Sequence, residues 1–407
     1  MKHSFPKNKI KVLLLEGVHQ AAREKLEKEG YKVSYHHDAM QEDELIKHIQ
    51  NVHMLGIRSK TQLTRKVIEA ANRLYAVGAF CIGTNQIDLD AASEQGIAVF
   101  NAPYSNTRSV VELAIAEMIL LIRNLPDKAK AMHSGKWEKS AANSRELRGK
   151  KLGIIGYGSI GSQLSVLAEN MGLDVYYFDL EEKLPLGNAT KVDDLHELLG
   201  KVDIVSLHID GREENDLLIG EKEFKAMNQG CIFLNLARGK VVDVQALRNA
   251  IDSGKVLGAG VDVYPQEPKS NDEPFESKLS GARNTILTPH IGGSTEEAQA
   301  HIGQFVPAKF IDYMNTGSTS GSVNLPNVQL PSFSTSHRFL HIHKNVPNVM
   351  AQINQILAKH NINIDGQYLK TNESTGYVIV DVNKNYDEKI KKELKAVDGT
   401  VKFRVLY

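Results

Sequence analysis

The stretch Lys151–Asp179 decides the fold of this chain and reads KLGIIGYGSIGSQLSVLAENMGLDVYYFD. It opens with a short apolar run typical of a buried strand, after which three glycines form a G-x-G-x-x-G pattern: Gly156, Gly158 and Gly161. Apolar residues then recur at three- and four-residue steps, as on one face of a helix: Ile160, Leu164, Leu167 and Met171. Gly172 is a helix stop signal, and a second strand, expected at 174–178, leads to Asp179. The stretch therefore predicts a strand–helix–strand unit with a glycine-rich turn.

Such a unit can bind a dinucleotide. The first glycine allows a tight turn, the second lets backbone amides approach a pyrophosphate, and the third lets the helix pack close to the strand. The helix N-terminus offers N–H groups and a partial positive charge to the phosphates. Asp179 can accept hydrogen bonds from the adenosine ribose, and with Glu181 and Glu182 it would repel a 2′-phosphate, which predicts NAD rather than NADP. The alternative is a loop that is glycine-rich by chance, since the chain has 31 glycines.

The composition excludes several classes of protein. A length of 407 residues predicts two or three domains, and a hydrophobic content of 42% is ordinary for a globular protein. Because 49 Lys and Arg residues balance 49 Asp and Glu residues, neither nucleic acid nor a membrane is expected as a partner. The first apolar run, Val12–Leu15, is too short for a signal peptide, so a cytoplasmic location is expected. Cys81 and Cys231 lie in apolar runs without metal-binding spacing, so we expect small core residues and no metal site.

Strand-like and helix-like segments alternate over residues 9–100, which predicts a parallel, doubly wound sheet. Strands are expected at 11–15, 32–35, 54–57, 74–77 and 98–100, with helices at 19–29 and 43–49. A long helix from Ser105 to near Asn124 leads into the glycine-rich unit. Further strands of that unit are expected at 203–208, 231–236, 258–263 and 285–287. A helix capped near Ser294, with a kink at Pro307, should then pack back on the first sheet.

The tail has a different organisation. Residues 315–336 are rich in Ser, Thr, Asn, Gly and Pro, which is typical of a linker. The last segment has the order β-α-β-β-α-β, which is ferredoxin-like, with elements at 339–343, 348–359, 367–371, 377–382, 387–397 and 401–406. We therefore expect an α/β chain with two doubly wound, Rossmann-like parallel-sheet domains and a ferredoxin-like domain. The expected boundaries are 1–105 and 295–330 for a substrate-binding domain, 106–294 for an inserted cofactor domain, and 337–407 for the C-terminal domain.

Polar side chains follow three successive strands of the cofactor domain: Arg238, Glu267 and His290. Because ligands of an open α/β sheet bind at the carboxyl ends of its strands, we expect these residues to converge near the nicotinamide. A histidine can accept the hydroxyl proton as hydride leaves a 2-hydroxy acid, and a carboxylate can fix the tautomer of that histidine. An arginine can hold the substrate carboxylate with two hydrogen bonds. Taken singly, each has a structural alternative: a structural histidine, an Arg-Gly turn and a rigid acidic loop.

These residues resemble the D-isomer-specific 2-hydroxyacid dehydrogenases, and among them the bacterial three-domain members that oxidise 3-phospho-D-glycerate. The likeness runs nearly end to end, in the motifs GAFCIGTNQIDLDAA (Gly78–Ala92), FNAPYSNTRSVVELAIAE (Phe100–Glu117), GKKLGIIGYGSIGSQL, NLARGKVVD, VDVYPQEP and LTPHIGGSTEEAQ. It implies that His290 is the acid/base, Glu267 its partner and Arg238 the substrate anchor. It also implies that these residues line the NAD: Ser159, Ile160, Asp179, Leu236, Ala237, Arg238, Asp262, Gly292, Gly293, Ser294 and Thr295. Small residues are more usual at 236 and 237, so only backbone contacts are expected there.

A phosphorylated substrate needs a second anion site. The candidates combine cationic side chains, hydroxyls and a helix N-terminus: Arg58 and Ser59 past the strand at 54–57, Asn106 and Arg108 at the start of the long helix, and Lys139 after Trp137. For each of them, the alternative is an ordinary solvated surface residue.

The C-terminal domain looks like an ACT domain, which implies amino-acid binding at a domain interface. In family members that bind serine, the contacts correspond to His343, Asn345 and Asn363. The alternative is a turn whose Asn residues serve as caps. L-serine is therefore expected as a feedback effector, and edge-to-edge pairing of such domains favours a homotetramer.

The expected function is the NAD-dependent oxidation of 3-phospho-D-glycerate to 3-phosphohydroxypyruvate, the opening step of serine biosynthesis. A side reduction of 2-oxoglutarate is also expected, since a distal carboxylate can mimic the phosphate. One alternative is another D-2-hydroxyacid dehydrogenase. The second is a non-catalytic, NAD(H)-sensing corepressor, a role that the same fold also serves.

Overall fold

A computed structural model of the chain describes residues 6–268, 272–330, 337–382 and 388–406. It divides into two compact units, Met1–Ser105 with Gln299–Tyr407 and Asn106–Ala298. The three-domain boundaries given above stay a prediction. Two predicted features fall partly outside the described residues, namely the end of the linker at 331–336 and the helix start at 387.

The first unit begins with the predicted doubly wound parallel sheet, which is confirmed. Its strands are β1 (Lys11–Leu14), β2 (Lys32–Tyr35), β3 (Met54–Ile57), β4 (Ala76–Ala79) and β5 (Ala98–Phe100). Its helices are α1 (Gln20–Lys28), α2 (Glu42–Ile49), α3 (Arg65–Ala70) and α4 (Leu89–Glu94). The strand order is β2-β1-β3-β4-β5, so the order reverses between β1 and β3. Ligands of such sheets bind outside the carboxyl ends of the strands at this reversal.

The second unit contains a larger parallel sheet. Its first elements are α5 (Thr107–Ile122), α6 (Leu125–His133), β6 (Lys151–Ile155), α7 (Ser159–Asn170), β7 (Asp174–Phe178), β8 (Thr190–Lys191) and α8 (Leu195–Lys201). The others are β9 (Ile204–Leu207), α9 (Glu221–Ala226), β10 (Cys231–Asn235), α10 (Val244–Asp252), β11 (Val256–Val261) and β12 (Thr285–Leu287). The order is β12-β11-β10-β9-β6-β7-β8, and it reverses between β6 and β9, beside the glycine-rich turn. This is the Rossmann-like arrangement expected.

Helix α7 packs more closely than its apolar spacing predicted. Its buried residues are small as well as apolar: Gly161, Leu164, Ser165 and Ala168. A side chain at Gly161 would overlap the carbonyl oxygen of Gly156, so glycine permits this close approach. Met171, predicted on the apolar face, is 39% exposed.

The chain then returns to the first unit through α11 (Glu296–Thr316), which has Pro307 inside it. Ile302, Val306 and Phe310 of this helix share a core with Val12 and Phe100, so α11 packs on the first sheet as expected. The remaining elements are β13 (His337–Lys344), α12 (Val349–Lys359), β14 (Ile364–Thr371), β15 (Thr375–Val382), α13 (Glu388–Lys395) and β16 (Thr400–Leu406). Their antiparallel sheet has the order β14-β15-β13-β16, which confirms the ferredoxin-like domain.

The described part of the predicted linker holds no helix or strand after α11 ends at Thr316, and it is packed. Ser318, Thr319 and Ser322 are buried, and the Thr319 hydroxyl donates to the Pro326 carbonyl at 2.6 Å. Its polar side chains therefore satisfy buried backbone groups. Cys81 lies in a partly exposed loop after β4 rather than in a strand, because β4 ends at Ala79; Cys231 is buried in β10 as expected. No helix among the described residues is long and apolar enough to cross a membrane.

Candidate active site

The glycine-rich turn has the shape that a pyrophosphate requires. Gly156 has a φ of +92°, and a Cβ there would lie 2.7 Å from the carbonyl oxygen of His208. At Gly158, by contrast, a Cβ would meet no described atom within 4 Å, and no side chain caps the N-terminus of α7, which begins at Ser159. Open space beside helix N–H groups suits a bound phosphate, so these residues fit NAD.

The carboxylate of Asp179, just after β7, is held in place by two backbone N–H groups and could accept hydrogen bonds from a ribose. Its Oδ2 accepts from the N–H of Tyr157 at 2.7 Å, and its Oδ1 accepts from the N–H of Glu181 at 2.9 Å. Each oxygen keeps further acceptor capacity for a ribose hydroxyl. Glu181 pairs with Lys183, and Glu182 with Lys191 at 2.7 Å, so repulsion of a 2′-phosphate falls mainly to Asp179.

His290 and Glu267 form a hydrogen-bonded pair. The Nδ1 of His290 lies 2.8 Å from Oε2 of Glu267, and the other carboxylate oxygen accepts from the N–H of Tyr264 at 3.1 Å. The His290 side chain is 49% exposed, and its backbone is left-handed, with a φ of +55°. Because Nδ1 faces the carboxylate, Nε2 is the nitrogen that can exchange a proton with a substrate.

The charges around this pair favour a protonated histidine. The hydrogen bond to Glu267, and then the charges of Glu267 and Asp262, raise the pKa of His290 above its usual value, and together they outweigh burial and the nearby Arg238, which lower it. Burial alone would raise the pKa of Glu267, but the hydrogen bond and charge of His290, the Tyr264 N–H and the charge of Arg238 lower it overall. Arg238 thus acts on both partners, so the three predicted residues lie together.

The loop that carries Arg238 is held by Asn235, a residue that sequence reasoning missed. The buried Asn235 side chain accepts from the N–H of Ala237 and donates to the carbonyl of Arg238, both at 3.1 Å. The side chains of Leu236 and Ala237 are buried in the core, which leaves their backbone as the part that a ligand could contact. An Asn two residues before a turn is the sequence signal for such a clamp.

Gly239 explains how this loop meets the next one. A Cβ at Gly239 would overlap the backbone of Tyr264 and Pro265, so the turn after Arg238 lies directly against the segment that leads to Glu267. Any larger residue would separate the two loops. The Arg-Gly pair is therefore more than an ordinary turn.

Asp262 builds the turn that carries His290. It is 2% exposed; its Oδ1 accepts from the Thr288 hydroxyl at 2.6 Å and from the N–H of Ile291 at 2.8 Å, and its Oδ2 accepts from the N–H of Gly292 at 2.7 Å. Its predicted contact with the cofactor stays a prediction, whereas this scaffolding role follows from the hydrogen bonds.

The far side of the same turn lies against the start of α5. A Cβ at Gly293 would overlap the amide of Asn106, the N-cap residue of α5, whose Oδ1 is buried without a hydrogen-bond partner among the described residues. The hydroxyls of Ser109 and Thr295 lie 2.8 Å apart. Thr295 also caps α11 by accepting from the N–H of Ala298 at 3.2 Å, one residue beyond the expected cap at Ser294.

The other candidate substrate-binding residues differ in exposure and in charge pairing. Arg58 is partly buried and Ser59 exposed in the loop after β3 of the first unit. Arg108 pairs with Glu112 at 2.6 Å on the surface of α5, which engages part of its charge, and Lys139 is exposed.

The expected regulatory residues do not come together within one chain. The buried His343 bonds through Nδ1 to the Lys344 carbonyl at 2.8 Å, and the Asn345 amide donates to the Asn372 carbonyl at 2.8 Å. His343 pairs with Gly376 on β15, whereas Ile364, next to Asn363, pairs with Val382. Six residues of strand separate these two points, which is roughly 20 Å.

Comparisons with known proteins agree with this geometry. Residues 115–292 match the model of the D-isomer specific 2-hydroxyacid dehydrogenase NAD-binding domain, and residues 339–402 match the AHAS small subunit-like ACT domain. The chain is 52% identical over 407 residues to D-3-phosphoglycerate dehydrogenase of Haemophilus influenzae, covering 100% of this chain and 99% of that protein. It is 49% identical over 409 residues to D-3-phosphoglycerate dehydrogenase of Escherichia coli K12, covering 100% of both. The enzyme of that name from Dictyostelium discoideum is 48% identical over 404 residues, covering 99% of both chains.

Solved structures give the same fold. D-2-hydroxyisocaproate dehydrogenase matches with a TM-score of 0.70 and 26% identity, covering 77% of this chain and 100% of that one. D-lactate dehydrogenase from Aquifex aeolicus, solved with NAD and lactic acid, matches with a TM-score of 0.68 and 24% identity, over 78% of this chain and 100% of that one. The second likeness shows the fold alone.

Proposed function

The chain belongs to the D-isomer-specific 2-hydroxyacid dehydrogenase family, and from that premise we propose that it oxidises 3-phospho-D-glycerate to 3-phosphohydroxypyruvate. It is an NAD-dependent oxidoreductase. The observation that carries the proposal is the His290–Glu267 pair at 2.8 Å beside Arg238, at the carboxyl ends of successive parallel strands. Full-length identity to enzymes of this specificity supports the choice of substrate.

The reaction divides into a hydride and a proton. Bound NAD supplies the hydride acceptor for the hydrogen on C2 of the substrate. His290 takes the hydroxyl proton on Nε2 as the C2–O bond becomes a carbonyl, and Glu267 stabilises the resulting imidazolium. Arg238 holds the substrate carboxylate and orients C2. In the reverse direction, the same imidazolium donates its proton to the carbonyl oxygen.

The substrate phosphate, in this proposal, binds to Arg58 and Ser59, with Asn106, Arg108 and Lys139 as further anion-binding residues. The loop with Arg58 follows β3, one of the two strands between which the sheet order reverses, and this is where open α/β sheets bind ligands. A side activity on 2-oxoglutarate follows from the same site, since a distal carboxylate can take the phosphate position.

A panel of 2-hydroxy acids tests the proposal by NADH absorbance. We expect 3-phospho-D-glycerate to be preferred over glycerate, lactate and 2-hydroxyglutarate. Arg58→Ala should raise the KM for the phosphorylated substrate by roughly 10-fold or more, the usual effect of losing a charge-assisted hydrogen bond, and leave that for glycerate unchanged. If Arg58→Ala affects all substrates equally, the phosphate assignment is wrong, and turnover of none of these acids would instead favour an NAD(H)-sensing role.

We further propose that L-serine inhibits the enzyme through His343, Asn345 and Asn363, that the enzyme is a cytoplasmic homotetramer, and that it opens serine biosynthesis. Because Asn363 lies at the opposite end of its sheet from His343 and Asn345, a site containing all three needs Asn363 from a second copy. Turnover measured against added L-serine tests this, with Asn345→Ala expected to relieve inhibition. Inhibition unchanged by that substitution would remove the proposed site.

A further inference from the structure

We propose that Glu16 is a positioning residue for the substrate phosphate, because it fixes the backbone of the loop that carries Arg58 and Ser59. This inference rests on the proposed function, which assigns phosphate binding to that loop. It adds two residues, Glu16 and Gln86, that sequence reasoning did not single out.

Glu16 lies where β1 ends, beside β3, and its conformation is unusual. Its φ is +62°, a left-handed value that costs free energy for a residue other than glycine, and the next residue, Gly17, is also left-handed at +58°. The N–H of Glu16 donates to the Asp38 carbonyl at 3.1 Å. The residue is only 8% exposed, so this turn directs a carboxylate into the protein.

That carboxylate accepts three hydrogen bonds from the backbone of one loop. Oε1 accepts from the N–H of Arg58 at 3.1 Å and from the N–H of Thr61 at 2.9 Å. Oε2 accepts from the N–H of Lys60 at 2.9 Å. The loop after β3 is therefore wrapped around a buried anion, while Ser59 and Lys60 remain exposed at its surface.

A second buried side chain holds the same loop from the other side. The amide of Gln86, 8% exposed, donates to the Arg58 carbonyl at 2.6 Å and reaches the Gly83 carbonyl at 3.4 Å. Both polar groups of the Arg58 backbone are thus fixed, the N–H by Glu16 and the carbonyl by Gln86. Because the backbone is already fixed before binding, less conformational entropy is lost when the phosphate binds, and the Arg–phosphate contact has a smaller cost to offset.

The negative charge of Glu16 is compatible with a nearby phosphate. Three N–H donors already share the carboxylate, and the same hydrogen bonds keep it buried behind the loop. A phosphate on the exposed side would meet Arg58 and Ser59 first. The paired placement of Glu16 after β1 and Arg58 after β3 uses the two strands at the reversal of the sheet.

The test compares Glu16→Gln with a matched control, Glu24→Gln. Glu24 is an exposed residue of α1 in the same unit. The glutamine keeps its size and one acceptor oxygen, but its NH2 group cannot accept from the loop. We expect the KM for 3-phospho-D-glycerate to rise by roughly 10-fold with kcat within about 2-fold, while the KM for glycerate stays unchanged. Glu24→Gln should change neither constant.

Gln86→Glu is the second variant, because it keeps the shape and removes the donor to the Arg58 carbonyl. It should reproduce the selective rise in KM, so the inference stays testable if Glu16→Gln does not fold. If Arg58→Ala raises the KM for the phosphorylated substrate and neither positioning variant does, the inference is overturned while the proposed function stands. An equal loss of kcat on phosphorylated and unphosphorylated acids would assign Glu16 a structural role only. No selective effect of Arg58→Ala would overturn the phosphate assignment itself.

Discussion

The cofactor-binding unit and the C-terminal sheet each carry a group of predicted site residues, but only the first group converges within one chain. Arg238, Glu267 and His290 follow strands that run in parallel, so their carboxyl ends share one edge of the sheet. His343 lies at the carboxyl end of β13 and Asn363 at the amino end of β14. Both strands are antiparallel to β15, so these two ends lie on opposite sides.

The difference teaches that the strand end at which each residue lies decides whether residues distant in sequence can build a site in one chain. In the parallel sheet, position after a strand suffices to bring polar groups together. In the C-terminal sheet, β13 and β14 also run in the same direction, but His343 lies at the carboxyl end of β13 and Asn363 at the amino end of β14, so a strand length separates them. The proposed catalytic group therefore lies within one chain, whereas the proposed effector site needs two.

The largest expected effect breaks the complete group. His290→Gln removes the proton acceptor and should lower kcat by roughly 10²–10⁴-fold, the usual contribution of a general base. If the group is complete in each chain, hybrids assembled from His290→Gln chains and Glu267→Gln chains should be no more active than the average of the two parents. Initial rates of NADH formation measure both results.

The control for this prediction is cofactor binding. NADH fluorescence titration should give the same affinity for His290→Gln as for the unaltered chain, since the glycine-rich turn and Asp179 are unchanged. Hybrids with restored activity would show that His290 and Glu267 act across chains, and the contrast between the two regions would then be wrong.

What the sequence predicted well is what local signals determine. The strands at 98–100, 174–178 and 285–287 begin and end where expected, because each is a short apolar run between turn residues. The convergence of Arg238, Glu267 and His290 followed from their positions after successive strands. Both predictions need only neighbours along the chain and the general geometry of parallel sheets.

What it could not predict depends on residues that meet through the fold. Glu16 binds the loop 58–61, which lies 42 to 45 positions later, and no local pattern indicates this pairing. Contact of Asn106 with Gly293 is equally remote. The separation of Asn363 from His343 was missed because the resemblance supplied residue types without the strand register.

The next-largest expected effect concerns Glu117, a buried acid near Asp262. Glu117 is 1% exposed, lies against Gly260, and its carboxylate oxygens have no hydrogen-bond partner among the described residues. Burial, and then the charge of Asp262, raise its pKa from 4.5 to about 8. The folded protein therefore keeps Glu117 protonated, and stability falls as pH rises from about 4.5 to about 8 and is constant above.

Glu117→Gln should remove this pH dependence. The variant and the unaltered chain should have similar thermal midpoints near pH 4.5, and the variant should gain stability relative to it up to pH 8, by at most a few kcal/mol. Thermal unfolding across this pH range measures the gap between the two thermal midpoints. A gap that stays constant or narrows with rising pH would show that Glu117 is ionised in the folded protein.

A smaller effect sharpens the description of the catalytic pair. In the direction of oxidation, His290 must be neutral to accept a proton, so kcat/KM rises as pH passes the pKa of His290. Because the hydrogen bond to Glu267 is the main cause that raises this pKa, Glu267→Gln should shift the acid limb to lower pH. Full pH profiles of kcat/KM measure the shift. If the acid limb of the profile does not move, a group other than His290 determines its pH.

The smallest expected effect concerns the proposed effector site, and its test is the counterpart of the hybrid experiment with His290 and Glu267. Chains with His343→Ala or Asn363→Ala alone should each lose inhibition by L-serine. In a shared site, hybrids of the two variants contain some interfaces where an intact His343 faces an intact Asn363 of the second copy, so inhibition should return in part. A mixture of separately assembled variants, never exchanged, is the matched control and should remain uninhibited. Because only a fraction of the sites in a hybrid is intact, recovery should stay below the inhibition of the unaltered enzyme; no recovery at all would place the effector site within a single chain or elsewhere.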